Sequence, residues 1–118
     1  MLQIKRSKTE ERLIDACRKG DRKAQYELYE KYAPLMYSVC RRYVMQLQEA
    51  EDILVCGFTK VFQKLHQFKG QGSFEGWVRR IMVNEALTFI RRNKSMYLEV
   101  EIEKASREPD LNKLSDQL

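Results

Sequence analysis

Between Ser73 and Lys94 the chain reads SFEGWVRRIMVNEALTFIRRNK, and this stretch constrains the fold more than any other. On a helix, Trp77, Arg80, Asn84, Thr88 and Arg91 follow in steps of 3, 4, 4 and 3 residues, which keeps them on one side. Val78, Ile81, Met82, Ala86, Leu87, Phe89 and Ile90 supply an apolar remainder suited to a core. One helix therefore anchors a domain and turns cations, an amide and an aromatic ring outward. That mixture suits an anionic polymer carrying flat bases.

The rest of the chain repeats the helical spacing, and with 5 Gly and 2 Pro it has few breakers. The pattern predicts an all-α, compact bundle of about four helices followed by a C-terminal linker or tail. A first helix covers residues 9–19, with Leu13, Ile14 and Cys17 inward; Gly20 suits a C′ position and Asp21 an N-cap. A second segment spans residues 22–45 on the apolar positions Leu28, Tyr32, Leu35, Val39 and Tyr43, with a kink or break near residues 31–33 ahead of Pro34. A third helix, residues 49–68, points Ala50, Leu54, Gly57, Phe58, Val61 and Leu65 inward. Lys69-Gly70-Gln71-Gly72 is a loop, and Ser73 caps the fourth helix. From Ser95 the chain turns acidic, which reads as a linker or frayed tail with room for a short helical piece.

Charge divides the chain in the same place. Residues 1–94 carry 19 Lys and Arg against 11 Asp and Glu; residues 95–118 carry 3 against 6. A basic body with an acidic tail favours a polyanionic partner, although a solvated basic surface alone has the same composition. No apolar run approaches the ~20 residues of a membrane span, and MLQIKRSKTEER has no apolar signal region. Cys17, Cys40 and Cys56 are odd in number and unpaired in spacing, which predicts buried free thiols in a reducing cytoplasm. One histidine, His66, and no Cys-x-x-Cys argue against a metal, and no cofactor is implied. Glu51 and Asp52 are adjacent carboxylates, but no nucleophile motif or glycine-rich phosphate cradle accompanies them. The expectation is a non-enzymatic protein without catalytic residues.

Three pieces stand in a particular order: Leu28-Tyr29-x-x-Tyr32-x-Pro34; Ala50-Glu51-Asp52-Ile53 followed by Phe58, Val61 and Phe62; and Phe68-Lys69-Gly70 with Phe74-x-x-Trp77-Val78-x-Arg80-Ile81-x-x-Asn84. Together they resemble region 2 of bacterial RNA polymerase sigma factors of the extracytoplasmic-function group, over about residues 21–94. The resemblance implies a helical domain over residues 1–94 with two working surfaces, and residues 95–118 as the acidic linker. One surface docks on the clamp helices of the polymerase β′ subunit. The other captures the non-template strand of the −10 promoter element with a base turned out of the stack. The chain ends too early for the family's region 4, and the group also implies an anti-sigma factor as a partner.

The resemblance also implies residues. Asp52, Val55, Cys56, Thr59 and Phe62 on the third helix become the polymerase contacts; without it they merely widen the core stripe. Asn84 takes the position that receives the turned-out base, a role suited to an amide that both donates and accepts. Phe68, Lys69 and Gly70 belong to the specificity loop. Arg80, Thr88, Arg91, Arg92 and Lys94 complete the DNA face, the cations as phosphate contacts. Their bland alternative is a solvated helix surface. Trp77 reads as a core anchor rather than a stacking platform, and Arg79 as the partner of a carboxylate. The chain departs from the family at Val55, usually Gln, at Cys56, usually acidic, and at Gly57, usually larger. Two rivals stay open: a helix-turn-helix regulator reading duplex DNA, and a helical module that binds only protein. Phe74, Trp77 and Val78 suit a recognition helix poorly.

Overall fold

The structure, a computed structural model, describes residues 8–107. Among them are four α-helices, α1 (Lys8–Arg18), α2 (Arg22–Arg41), α3 (Leu47–Gln63) and α4 (Phe74–Arg107), a 3-10 turn at Leu65–Gln67, and no strand. The all-α four-helix expectation holds.

The turn between α1 and α2 follows from two residues. Gly20 sits at φ +86°, a conformation that favours glycine. Its N–H bonds to the Cys17 carbonyl and that of Asp21 to the Ala16 carbonyl, the paired pattern of a Schellman ending. The Asp21 carboxylate then accepts from the N–H groups of Lys23 and Ala24, capping α2.

Helix α2 packs against α1, α3 and α4, and α3 against α4. The core holds Leu28, Met36, Ile53, Val61, Leu65, Val78 and Met82, all essentially without exposure. The apolar stripe of α3 is buried as its spacing predicts. Two expectations for α2 need correcting. Leu35 is exposed and Met36 takes the inner position, where it joins the core shared with the neighbouring helices. At Pro34 there is no break, since it lies inside a continuous helix. It cannot supply the helical N–H donor to the Glu30 carbonyl, and both residues are exposed.

The third correction concerns the tail. The boundary expected at Ser95 is not a helix end, since α4 runs to Arg107. The rest of the acidic tail, residues 108–118, lies outside the described residues.

Cys17 and Cys40 are buried free thiols as expected, but Cys56 is exposed, because it lies on the outer side of α3. Burial, reinforced by Asp21 and Glu27, pushes the Cys17 thiol from 9.0 up to about 11. Burial raises Cys40 to about 11 as well. The folded state therefore holds both protons more tightly than the unfolded chain. This contribution to stability is full below pH about 9 and is lost as pH rises toward 11. At pH 8 an alkylating reagent is expected to modify Cys56 alone in the native protein, with the other two reacting only on unfolding. Three equal rates in a thiol-counting time course would contradict this.

Candidate nucleic-acid interface

The loop before α4 is tied down at both ends. Phe68 enters it and Phe74 leaves it, and their rings meet edge to face at 5.1 Å. Trp77 stacks on Phe74 at 5.8 Å and lies 5.4 Å from Phe68, while Tyr32 closes the cluster against Phe74 at 5.5 Å. Between these anchors Lys69, Gly70, Gln71 and Gly72 are exposed, with both glycines at φ +78°. Ser73 caps α4 as predicted: its hydroxyl accepts from the Gly76 N–H at 3.1 Å and its carbonyl from the Trp77 N–H at 3.0 Å. The backbone that follows is helical from its first turn.

On that face Arg80, Asn84, Arg91, Arg92 and Lys94 are exposed and Thr88 is half-buried. Arg80 to Arg91 covers about 16 Å of helix. The Thr88 hydroxyl donates to the Asn84 carbonyl at 2.8 Å, so its proton is committed to the helix. Glu85, next to Asn84, points the other way. It is buried against α3, where the Lys60 ammonium pairs with it. That ion pair was not legible in the sequence; a step of 25 residues carries no periodic signal. Arg79 pairs with Glu75 at 3.7 Å, as expected of it.

Phe68 is the one member of the predicted DNA face that the structure withdraws from it. Its ring is only 5% exposed, because it fills the aromatic cluster, and it serves the loop as an anchor. Trp77 is half-buried in the same cluster, the core role expected of it.

The residues predicted to meet the polymerase lie on α3. Asp52, Val55, Cys56 and Thr59 are exposed, Val55 at 57%. Phe62 is partly buried and leans on Phe58, ring centres 6.2 Å apart. Asp52 accepts from Gln48 at 3.0 Å and Thr59 bonds back to the Val55 carbonyl at 2.8 Å, so both are settled on the helix surface. Val55 also lines an open groove of about 590 Å³ between α2 and α3, with Tyr29, Pro34, Tyr37 and Leu54. Gly57 is buried at the α3–α4 crossing, where a Cβ would stand 2.3 Å from the Met82 sulfur. The missing side chain is thus the space that Met82 occupies.

The sigma-70 region 2 family pattern matches residues 28–96, from α2 through the first two-thirds of α4. The chain belongs to the sigma-70 region 2 family. Among characterised proteins it is similar to the RNA polymerase sigma-H factor of Pseudomonas aeruginosa, 31% identical over 77 residues, covering 65% of this chain and 40% of that protein. It is also similar to the ECF RNA polymerase sigma factor SigW of Bacillus subtilis, 30% identical over 90 residues, covering 75% and 48%. The chain thus spans less than half the length of these relatives. Among solved structures it resembles an engineered region 2 of sigmaE, determined by NMR in complex with GTAAAA. That match has a TM-score of 0.67 and 27% identity, and covers 75% of this chain and 95% of that one. Helix α1 precedes the segment that the family pattern matches and packs on α2 and the 3-10 turn.

Proposed function

We propose that this chain is the part of an extracytoplasmic-function sigma factor that joins core RNA polymerase to an opened −10 promoter element, acting in the cytoplasm and without enzymatic activity of its own. The observation that carries the DNA half is the exposed row Arg80, Asn84 and Arg91 on α4, the helix that the anchored, exposed loop Lys69–Gly72 leads into. Its counterpart in sigmaE region 2 was solved with GTAAAA, which supports a single strand as the ligand. Arg80, Arg91 and Arg92 neutralise phosphates and set register; Asn84 reads the edge of a base taken out of the stack. Such a protein favours melting only because it binds the unpaired strand better than the duplex.

The polymerase half rests on Asp52, Val55, Cys56 and Thr59, exposed together on α3, with the β′ clamp helices as the partner. Where relatives of this group carry Gln and an acid, Val55 and Cys56 offer apolar surface, so this docking is less polar. An anti-sigma factor would act by covering either face.

Fluorescence anisotropy with a labelled GTAAAA strand and its duplex tests the DNA half. Wild type is expected to prefer the single strand, and Asn84→Ala to lose about 1–3 kcal/mol, roughly 5- to 150-fold, on that strand alone. Each phosphate-contacting arginine adds about 0.7 to the salt slope, so Arg91→Ala should lower it by that amount. Equal affinity for strand and duplex would favour the duplex-reading rival instead.

A further inference from the structure

Helix α1 is hydrogen-bonded to the entry of the DNA-reading loop through Arg18. The Arg18 guanidinium donates through Nε to the Leu65 carbonyl at 3.3 Å and through Nη2 to the Phe68 carbonyl at 2.5 Å. Its Nη1 bonds to Asp15 at 2.7 Å, which fixes the plane of the fork. Leu65 and Phe68 bound the 3-10 turn that feeds the loop, and Phe68 is the last residue before the exposed Lys69. An arginine fits here because the carbonyls ending a turn want donors, and a planar fork meets two at once. Around the fork lies an open hollow of about 470 Å³ lined by Asp15, Arg18, His66, Lys69 and Gly70. Buried Ile14 and Phe68 line it as well, so the hydrogen bonds join α1 to the loop alongside apolar packing.

We infer that Arg18 is a positioning residue for −10 recognition: it clamps the Leu65 and Phe68 carbonyls, and so fixes where the Lys69–Gly72 loop meets the strand. Arg18 touches no base and no phosphate in this role: Nε and Nη2 donate to carbonyls and Nη1 to Asp15. The clamp is a sequence-discrimination device rather than an affinity device. The inference rests on the reading of the loop as part of the DNA face.

Two measurements on the full chain test it, the first without DNA. Amide hydrogen exchange at residues 69–72 is expected to rise about tenfold in Arg18→Ala, which is about 1.4 kcal/mol of lost local protection. Core amides of α2 serve as the internal check on global unfolding. Arg18→Lys, which keeps the charge but supplies one point donor, should give an intermediate rise, and it keeps the test open if the alanine variant is poorly folded. The second measurement is the ratio of affinities for GTAAAA and for a scrambled strand of equal length. It should fall about fivefold in Arg18→Ala with an unchanged salt slope. Unchanged loop exchange in both variants would overturn the clamp. A salt slope lower by about 0.7 would also overturn it, by making Arg18 a phosphate contact. A wild-type chain that binds neither strand would instead contradict the DNA reading, and the exchange result separates that failure from this one.

Discussion

Val55→Asp is expected to abolish binding to core RNA polymerase while leaving the domain folded. Val55 is 57% exposed and stands at the centre of the α3 face, between Asp52 and Thr59. A carboxylate there costs the free domain little, since an exposed substitution away from caps and core shifts stability by about 0.5 kcal/mol or less. In the complex the same carboxylate is desolvated without a partner, a loss of about 3 kcal/mol or roughly a hundredfold in Kd. Phe62→Asp is the weaker test, although Phe62 belongs to the same face. Its ring leans on Phe58 and the core, so lost binding would be confounded with lost fold. A pull-down with core polymerase beside a thermal melt separates the two quantities. Val55→Asp that melts as wild type and binds equally well would remove α3 from the docking surface.

Gly57→Leu should strongly destabilise the domain. Glycine in a helix interior costs about 1 kcal/mol relative to alanine, so helix propensity alone predicts a gain from any larger residue. The crossing with α4 reverses the sign. A Cβ at this position would meet the Met82 sulfur at 2.3 Å and its terminal methyl at 2.8 Å, so the end of this fully buried side chain must repack within the core. Gly57→Ala is therefore expected to lose about 1–2 kcal/mol, and Gly57→Leu more than about 3, out of a typical total of 5–15. Met82→Ala should relieve Gly57→Ala, with a coupling of about 1–2 kcal/mol in a double-mutant cycle followed by denaturant unfolding. Strictly additive effects would mean that the two helices do not meet at this point.

The sequence made the helices and the inner faces of α3 and α4 legible because their burial repeats every three or four residues. Leu28, Tyr32 and Val39 of α2, the stripe from Ala50 to Leu65, and Val78, Met82 and Ala86 all obey that rule. Leu35 against Met36 was beyond it, since both lie within one step of Tyr32 and only the neighbouring helices choose between them. The helix beyond Ser95 was obscured by charge. Residues 95–107 contain no Gly or Pro and include three Glu together with Met, Leu, Lys, Ala and Arg, all good helix formers, yet their acidity reads as a linker.

The candidate DNA face was legible at Arg80, Asn84 and Arg91 because they share one side of one helix. Phe68 was misplaced because adjacency to a loop says nothing about which way a ring turns. The links made by Arg18 to Leu65 and Phe68, and by Lys60 to Glu85, join residues 25 to 50 positions apart. No local pattern announces such pairs.

The central claim is that one small bundle offers α4 with its loop to an unpaired strand and α3 to a protein, as two separate surfaces. Titration of the isotope-labelled chain with GTAAAA, followed amide by amide in NMR spectra, tests it most directly. The account expects shifts at residues 69–72 and along Arg80, Asn84, Thr88 and Arg91, with Asp52, Val55, Cys56 and Thr59 unmoved. Shifts centred on α3, with the Asn84 face silent, would contradict it.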